Sequence, residues 1–159
     1  MNTQILRKLL TSNAGMAALV LRLPLGLVLA AHGAQKLFGL FGGYGLEGTG
    51  QWMASIGFTP GYLMAFLAGS GEFFGGIALA LGLLTRPAAI VTAFTMLMAM
   101  TVHISNGLFV ANNGYEYALI LMVASIALAI QGAGRLSLDN ALLNALENRT
   151  VTGSAATPR

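Results

Sequence analysis

Cysteine is absent from this chain of 159 residues, and charge is scarce: only 8% of residues are Asp, Glu, Lys or Arg. Without cysteine there are no disulfides, no thiol redox chemistry, no Cys-ligated zinc and no iron–sulfur cluster. The charge deficit is as informative. A soluble domain carries roughly 25% charged residues, and a surface this poor in charge suits hydrocarbon better than water. Basic residues outnumber acidic ones by 8 to 5, but they form no stripe that could track phosphates, so nucleic acid is not an expected partner. No metal site is expected either.

What the chain has is apolar length. Hydrophobic residues make up 56% of it, and there are 21 glycines, a residue that lets membrane helices pack closely. A bilayer core takes about 20 apolar residues per helix. Spans are expected over about 16–40, 61–84, 87–110 and 116–133, giving an all-α polytopic bundle of four transmembrane helices. Residues 1–15 form an N-terminal segment, 134–147 a short amphipathic helix on the membrane surface, and 148–159 a disordered tail. Pro87 suits a first helical turn. Thr85-Arg86 reads as a tight turn between the second and third spans, and Trp52 as a headgroup-level anchor on a short helix near Gln51–Ile56.

Lys and Arg favour cytoplasmic loops. With both termini in the cytoplasm, Arg7, Lys8, Arg86, Arg135, Arg149 and Arg159 fall inside, and Arg22 lies near them. Lys36 alone falls outside. The first apolar stretch continues past Arg22 and Lys36, which fits a retained helix better than a cleaved signal peptide.

Ionisable groups inside a membrane are costly and face partners or cavities. Glu72 falls near the middle of the second span. Ala68, Gly76 and Ala80 share its face, and Gly71 and Gly75 lie beside it, so it points into a helix interface. A carboxyl there needs a cation beside it or its own proton, and Lys36, Arg22 or a protonated His could serve. His32 and Lys36 are four residues apart on one face of the first span. His103 lies in the outer half of the third span, and Glu116 opens the fourth. The topology gathers His32, Lys36, His103 and Glu116 toward the outer side. Plainer roles exist for each. Arg22 and Lys36 can snorkel to headgroups, the histidines can link helices, and Glu116 can complement a helix dipole. Met96, Met98 and Met100 read as packing residues.

Several segments then carry a resemblance. They are Arg22-Leu23-Pro24-Leu25-Gly26, Ala31-His32-Gly33-Ala34-Gln35-Lys36-Leu37-Phe38, Gly42-Gly43, Gly45-Leu46-Glu47-Gly48-Thr49, Gly71-Glu72-Phe73-Phe74-Gly75-Gly76, Leu81-Gly82-Leu83-Leu84-Thr85-Arg86, Gly114-Tyr115-Glu116-Tyr117 and Gly132-Ala133-Gly134-Arg135-Leu136-Ser137-Leu138-Asp139. Together they resemble the DoxX family of small bacterial membrane proteins. The resemblance implies a four-helix protein of the bacterial inner membrane, with Arg22, His32, Lys36, Glu72, Arg86 and Glu116 at matching positions. It also implies a link to quinone-dependent oxidoreductases, of which some members are subunits. His103 lies outside the matching segments.

On this reading His32, Lys36 and Glu72 are the candidate catalytic groups, and Arg22, His103 and Glu116 the candidate cofactor-binding ones. Hydrogen-bond donors, titratable groups and an apolar slot would suit a quinone. Other classes stay open. One is a non-enzymatic anchor or assembly subunit, in a homo-oligomer or a larger membrane complex. A small-solute transporter and a b-haem held between His32 and His103 rank lower.

Overall fold

Apolar runs without water must close their backbone hydrogen bonds internally, and helices do this within one segment. The computed structural model describes residues 3–12 and 14–155, and all regular structure among the described residues is helical. The α-helices are α1 (Thr3–Leu10), α2 (Met16–Phe38), α3 (Gly45–Ser55), α4 (Gly61–Leu81), α5 (Thr85–His103), α6 (Glu116–Gln131) and α7 (Leu138–Ala155). Three stretches are long and apolar enough to cross a membrane: α2, α4 and the segment Thr85–Asn106 that α5 opens. The fourth apolar helix, α6, has 16 residues.

The boundaries differ from the sequence-based expectation for local reasons. Gly82 takes a left-handed backbone (φ 68) and ends α4 at Leu81, short of 84. The turn to the next helix is therefore Gly82–Leu84 rather than Thr85-Arg86. The following helix begins at Thr85, ahead of Pro87, because the Asp139 carboxylate accepts hydrogen bonds from the N–H groups of Leu84 (2.6 Å) and Thr85 (2.9 Å). These donors have no partner within the helix, and Asp139 caps them from the far end of the sequence. Gly107 (φ 78) ends the third apolar stretch before Val110. The segment 1–15 contains α1, α3 is longer than the short helix expected near Trp52, and α7 carries helical backbone on to Ala155, past the expected limit at 147.

Packing explains the glycines. A Cβ on Gly26 would lie 2.5 Å from the backbone nitrogen of Ala80, and one on Gly76 would lie 2.5 Å from that of Ala30. Gly33 faces the backbone of Gly69 and Phe73 in the same way. So α2 and α4 touch backbone to backbone along Gly26, Gly33, Gly69 and Gly76. Gly71 and Gly75 face α5 instead, at the side chains of Thr95 and Thr92. Thr92 in turn donates to or accepts from Ser125 of α6 at 3.1 Å, fully buried. Leu25, Leu29, Leu79, Met96, Leu121 and Leu128 fill the remaining core. Large apolar side chains such as Leu27, Phe66, Phe74, Phe94, Ile120 and Ile130 point outward. That pattern of small residues inside and large ones outside fits a bundle whose solvent is lipid.

Two arginines close one end. Arg22, 2% exposed, donates through Nε to Ala133 O (3.1 Å), through one terminal nitrogen to Leu79 O (3.1 Å) and Ala80 O, and through the other to Leu136 O. Arg86 donates to Ala129 O (2.8 Å) and Ile130 O (2.6 Å). Each guanidinium thus satisfies the last carbonyls of a helix, α4 and α6 respectively, and sits at its negative dipole end. The start of α2, the ends of α4 and α6 and the start of α5 and α7 all meet there. We call this the terminal end, and the opposite one the far end.

Replacing Gly76 with Val forces α2 and α4 apart. We expect it to lower the detergent-unfolding midpoint, read by circular dichroism, whereas Gly15→Ala, where an added Cβ meets nothing within 4 Å, leaves it unchanged. Arg22→Ala strips donors from buried carbonyls and should cost on the order of 3 kcal/mol in the same assay. Arg22→Lys should recover little, because one ammonium cannot span four carbonyls on two segments.

Candidate functional site

The close approach at Gly33 positions an ion pair. One turn beyond Gly33, the stem of Lys36 lies over Gly69, where an added Cβ would come within 3.2 Å of Lys36 Cβ. From there Lys36 reaches along α4 to Glu72, with Nζ 2.5 Å from Oε2. Lys36 therefore points into the bundle rather than out to headgroups. Glu72 is 3% exposed, while the Lys36 side chain keeps 25% of its surface accessible. Two charges in a low-dielectric interior hold each other at a high desolvation cost, and removing one leaves the other stranded.

His32 and Tyr117 complete the cluster. His32 is one turn before Lys36, and its Nε2 is 3.4 Å from Tyr117 Oη of α6. The two rings meet edge to face, with centroids 5.8 Å apart. Both lie within electrostatic reach of the Glu72 carboxyl. Three helices thus each bring a polar group to one level of the bundle.

Two cavities meet at this pair. A crevice of about 530 Å³ runs between α3, α4 and α5, walled by Trp52, Phe58, Leu67, Ala68, Phe94 and Met98, with Lys36, Glu72, Thr95 and His103 as its polar points. A second cavity of about 500 Å³ lies at the far end, bounded by Gln35, Lys36, Gly43, Tyr44, Thr49 and Trp52. Lys36 and Trp52 border both.

The remaining candidates lie elsewhere. Arg22 is 14 residues from Lys36 along α2, about 21 Å at the helical rise, and its bonds go to backbone carbonyls at the terminal end. Glu116 accepts from the N–H of Val110 (2.8 Å) and closes the loop before α6. His103 lines the crevice, but its Nδ1 is 2.9 Å from Asn113 O. A carbonyl can only accept, so that nitrogen carries the proton. Gly71 packs opposite Thr95, so His103, eight residues beyond Thr95, stands about 12 Å above the Glu72 level. His32, at that level, faces Tyr117. The two imidazoles do not oppose each other as a haem pair would require. No group of three metal-ligating side chains occurs among the described residues.

Sequence reasoning missed Tyr117 and underused Trp52. Tyr117 adjoins Glu116, yet one residue is a 100° rotation on a helix, which turns it from the loop to His32 of α2. Trp52 was expected at headgroup level, and it also partitions the two cavities.

Glu72→Ala should destabilise the protein by about 3–5 kcal/mol, as expected for breaking a buried pair. The double substitution Lys36→Met with Glu72→Leu should restore most of that loss. A double-mutant cycle on detergent unfolding measures the coupling.

The comparisons agree with this architecture. The DoxX family model matches residues 17–104. A Bacillus subtilis (strain 168) protein named "Putative oxidoreductase CatD" is 31% identical over 137 residues, covering 86% of this chain and 95% of that protein. "Inner membrane protein YqjF" of Escherichia coli (strain K12) is 35% identical over 99 residues, covering 62% of this chain and 75% of its own length. No solved structure matches significantly. The family match takes in α2 to α5, the helices that hold Lys36, Glu72 and both cavities, and on this evidence the chain belongs to the DoxX family of membrane proteins.

Proposed function

We propose that this protein is a quinone-interacting subunit of an oxidoreductase in the bacterial inner membrane, with both termini in the cytoplasm and four spans. The observation that carries the reading is the Lys36–Glu72 pair, its carboxylate buried, set in the wall of a largely apolar crevice. A quinone needs hydrogen-bond donors at its carbonyls and an apolar slot for its ring and tail. Lys36 supplies the donor, and Glu72, His32 and Tyr117 supply groups able to pass protons. Reduction of a quinone to a quinol takes up two electrons and two protons, and the chain's part is to bind the ring and to hold protons near it. Electrons would come from another subunit or a diffusing donor.

Two features support the membrane topology. α6 ends at the Arg86 clamp, so it runs antiparallel to α5 and occupies the same layer as the longer helices. At 16 residues it covers about 24 Å, and the turns flanking it extend that reach. Arg7, Lys8, Arg22, Arg86 and Arg135 sit on or near the terminal end, with Lys36 toward the far end, which favours a cytoplasmic terminal end. The name of the Bacillus relative supports a redox role.

A second reading has its own support. The ion pair bridges α2 and α4, and a non-catalytic anchor or assembly subunit would use it to fix that packing.

Trp52 is the single tryptophan of the chain and lines the crevice, so its fluorescence reports occupancy. Titrating the purified protein with a short-tailed benzoquinone should give saturable quenching. Glu72→Gln and Lys36→Met should weaken the half-saturation by roughly tenfold, the equivalent of one lost charge-assisted hydrogen bond. Linear, non-saturating quenching that is identical in all three proteins would favour the packing role.

A further inference from the structure

We propose that the far-end cavity is a water-filled mouth through which the Lys36–Glu72 pair exchanges protons with the aqueous phase, separately from the apolar crevice. The inference concerns the same ion pair as the functional reading, but it stands whatever ligand the crevice takes.

The two cavities differ in their walls. Gln35, Lys36, Tyr44 and Thr49 give the mouth hydrogen-bonding side chains, and Gly42, Gly43, Gly48 and Trp52 complete its border. The crevice is bounded mostly by apolar side chains, Phe94, Met98 and Leu67 among them. Their shared borders are informative. Glu72 lines the crevice alone, whereas Lys36 lines both. Water in the mouth therefore reaches the ammonium before it reaches the carboxylate.

The position in the fold agrees. α2 ends at Phe38, and the chain leaves it through the turn Leu40–Gly42. Gly42 of this turn and Gly43 after it border the mouth, which places it beyond the last turn of α2 at the far end of the bundle.

The proton step balances simply. Lys36 passes a proton from Nζ to Glu72 Oε2, 2.5 Å away, and takes one from a hydronium in the mouth. The net change is a protonated Glu72 beside an unchanged ammonium, with one water released. His32 of α2 and its α6 neighbour Tyr117 are the other titratable groups near the pair, and Tyr44 is the titratable group in the mouth. On α5, His103 stands about 12 Å away along the axis.

The chain has no cysteine, so a single introduced thiol is unambiguous. The test is Lys36→Cys in a Glu72→Gln background, which leaves no stranded charge, reacted in membrane vesicles with a positively charged, membrane-impermeant thiosulfonate. Labelling should proceed from the far-end side. Gln35→Trp, which fills the mouth, should slow it by roughly tenfold through lost access to the thiolate, and Ala68→Phe, which narrows the crevice, should leave it unchanged. Labelling by lipophilic reagents alone, or slowing by Ala68→Phe and not by Gln35→Trp, overturns the proposal. If the double variant does not fold, wild-type Lys36 decides the question. Lys8 and Lys36 are the chain's two lysines, and peptide mass after treatment with a sulfonated active ester reads Lys36 directly, with the same two occluding substitutions and the same two outcomes.

Discussion

The backbone contact between α2 and α4 governs the rest of the molecule. In lipid no hydrophobic force drives helices together, so association depends on close packing and on polar groups that find partners. Gly26 and Gly33 against Gly69 and Gly76 allow an approach that any side chain would block. That approach brings Lys36 over Gly69 and within reach of Glu72. It also brings Arg22 to the end of α4. The ion pair and the arginine clamp are thus two products of one glycine seam, at its two ends.

Polar satisfaction divides the charged residues into two kinds. Arg22, Arg86 and Asp139 spend their hydrogen bonds on backbone at helix ends. Their bonds serve the backbone and hold helix ends together. Lys36 is different. It meets one carboxylate oxygen, retains a quarter of its surface, and borders two cavities. Exposure and unspent donors set Lys36 apart from the arginines, and they are what the proposed site rests on.

Much of this was legible in the sequence. The apolar runs marked three helices and the shorter α6, because length and composition are local properties. Glu72 was recognisable as interface-facing from the small residues at intervals of four. Its partner was narrowed to Lys36, Arg22 or His, but the choice needed the α2–α4 register, which depends on Gly26 and Gly33 and was not read. The roles of Arg22 and Asp139 were hidden for a different reason. Their partners are backbone atoms 54 to 114 residues away, and backbone carries no sequence signature. Glu116 was misleading, since its carboxylate closes a neighbouring loop, while Tyr117 beside it turns toward His32.

The Asp139 cap carries a consequence for biogenesis. The N–H groups of Leu84 and Thr85 leave the ribosome some fifty-five residues ahead of their acceptor. Throughout that interval the turn between α4 and α5 has its helix start exposed. The Arg22 guanidinium likewise waits for the carbonyls of Ala133 and Leu136. Insertion of the helices and completion of the bundle are therefore separable, and a stretch synthesised after α6 fastens α2 and the α4–α5 turn. A chain cut short before Asp139 would hold the membrane helices yet lack the latch that joins them.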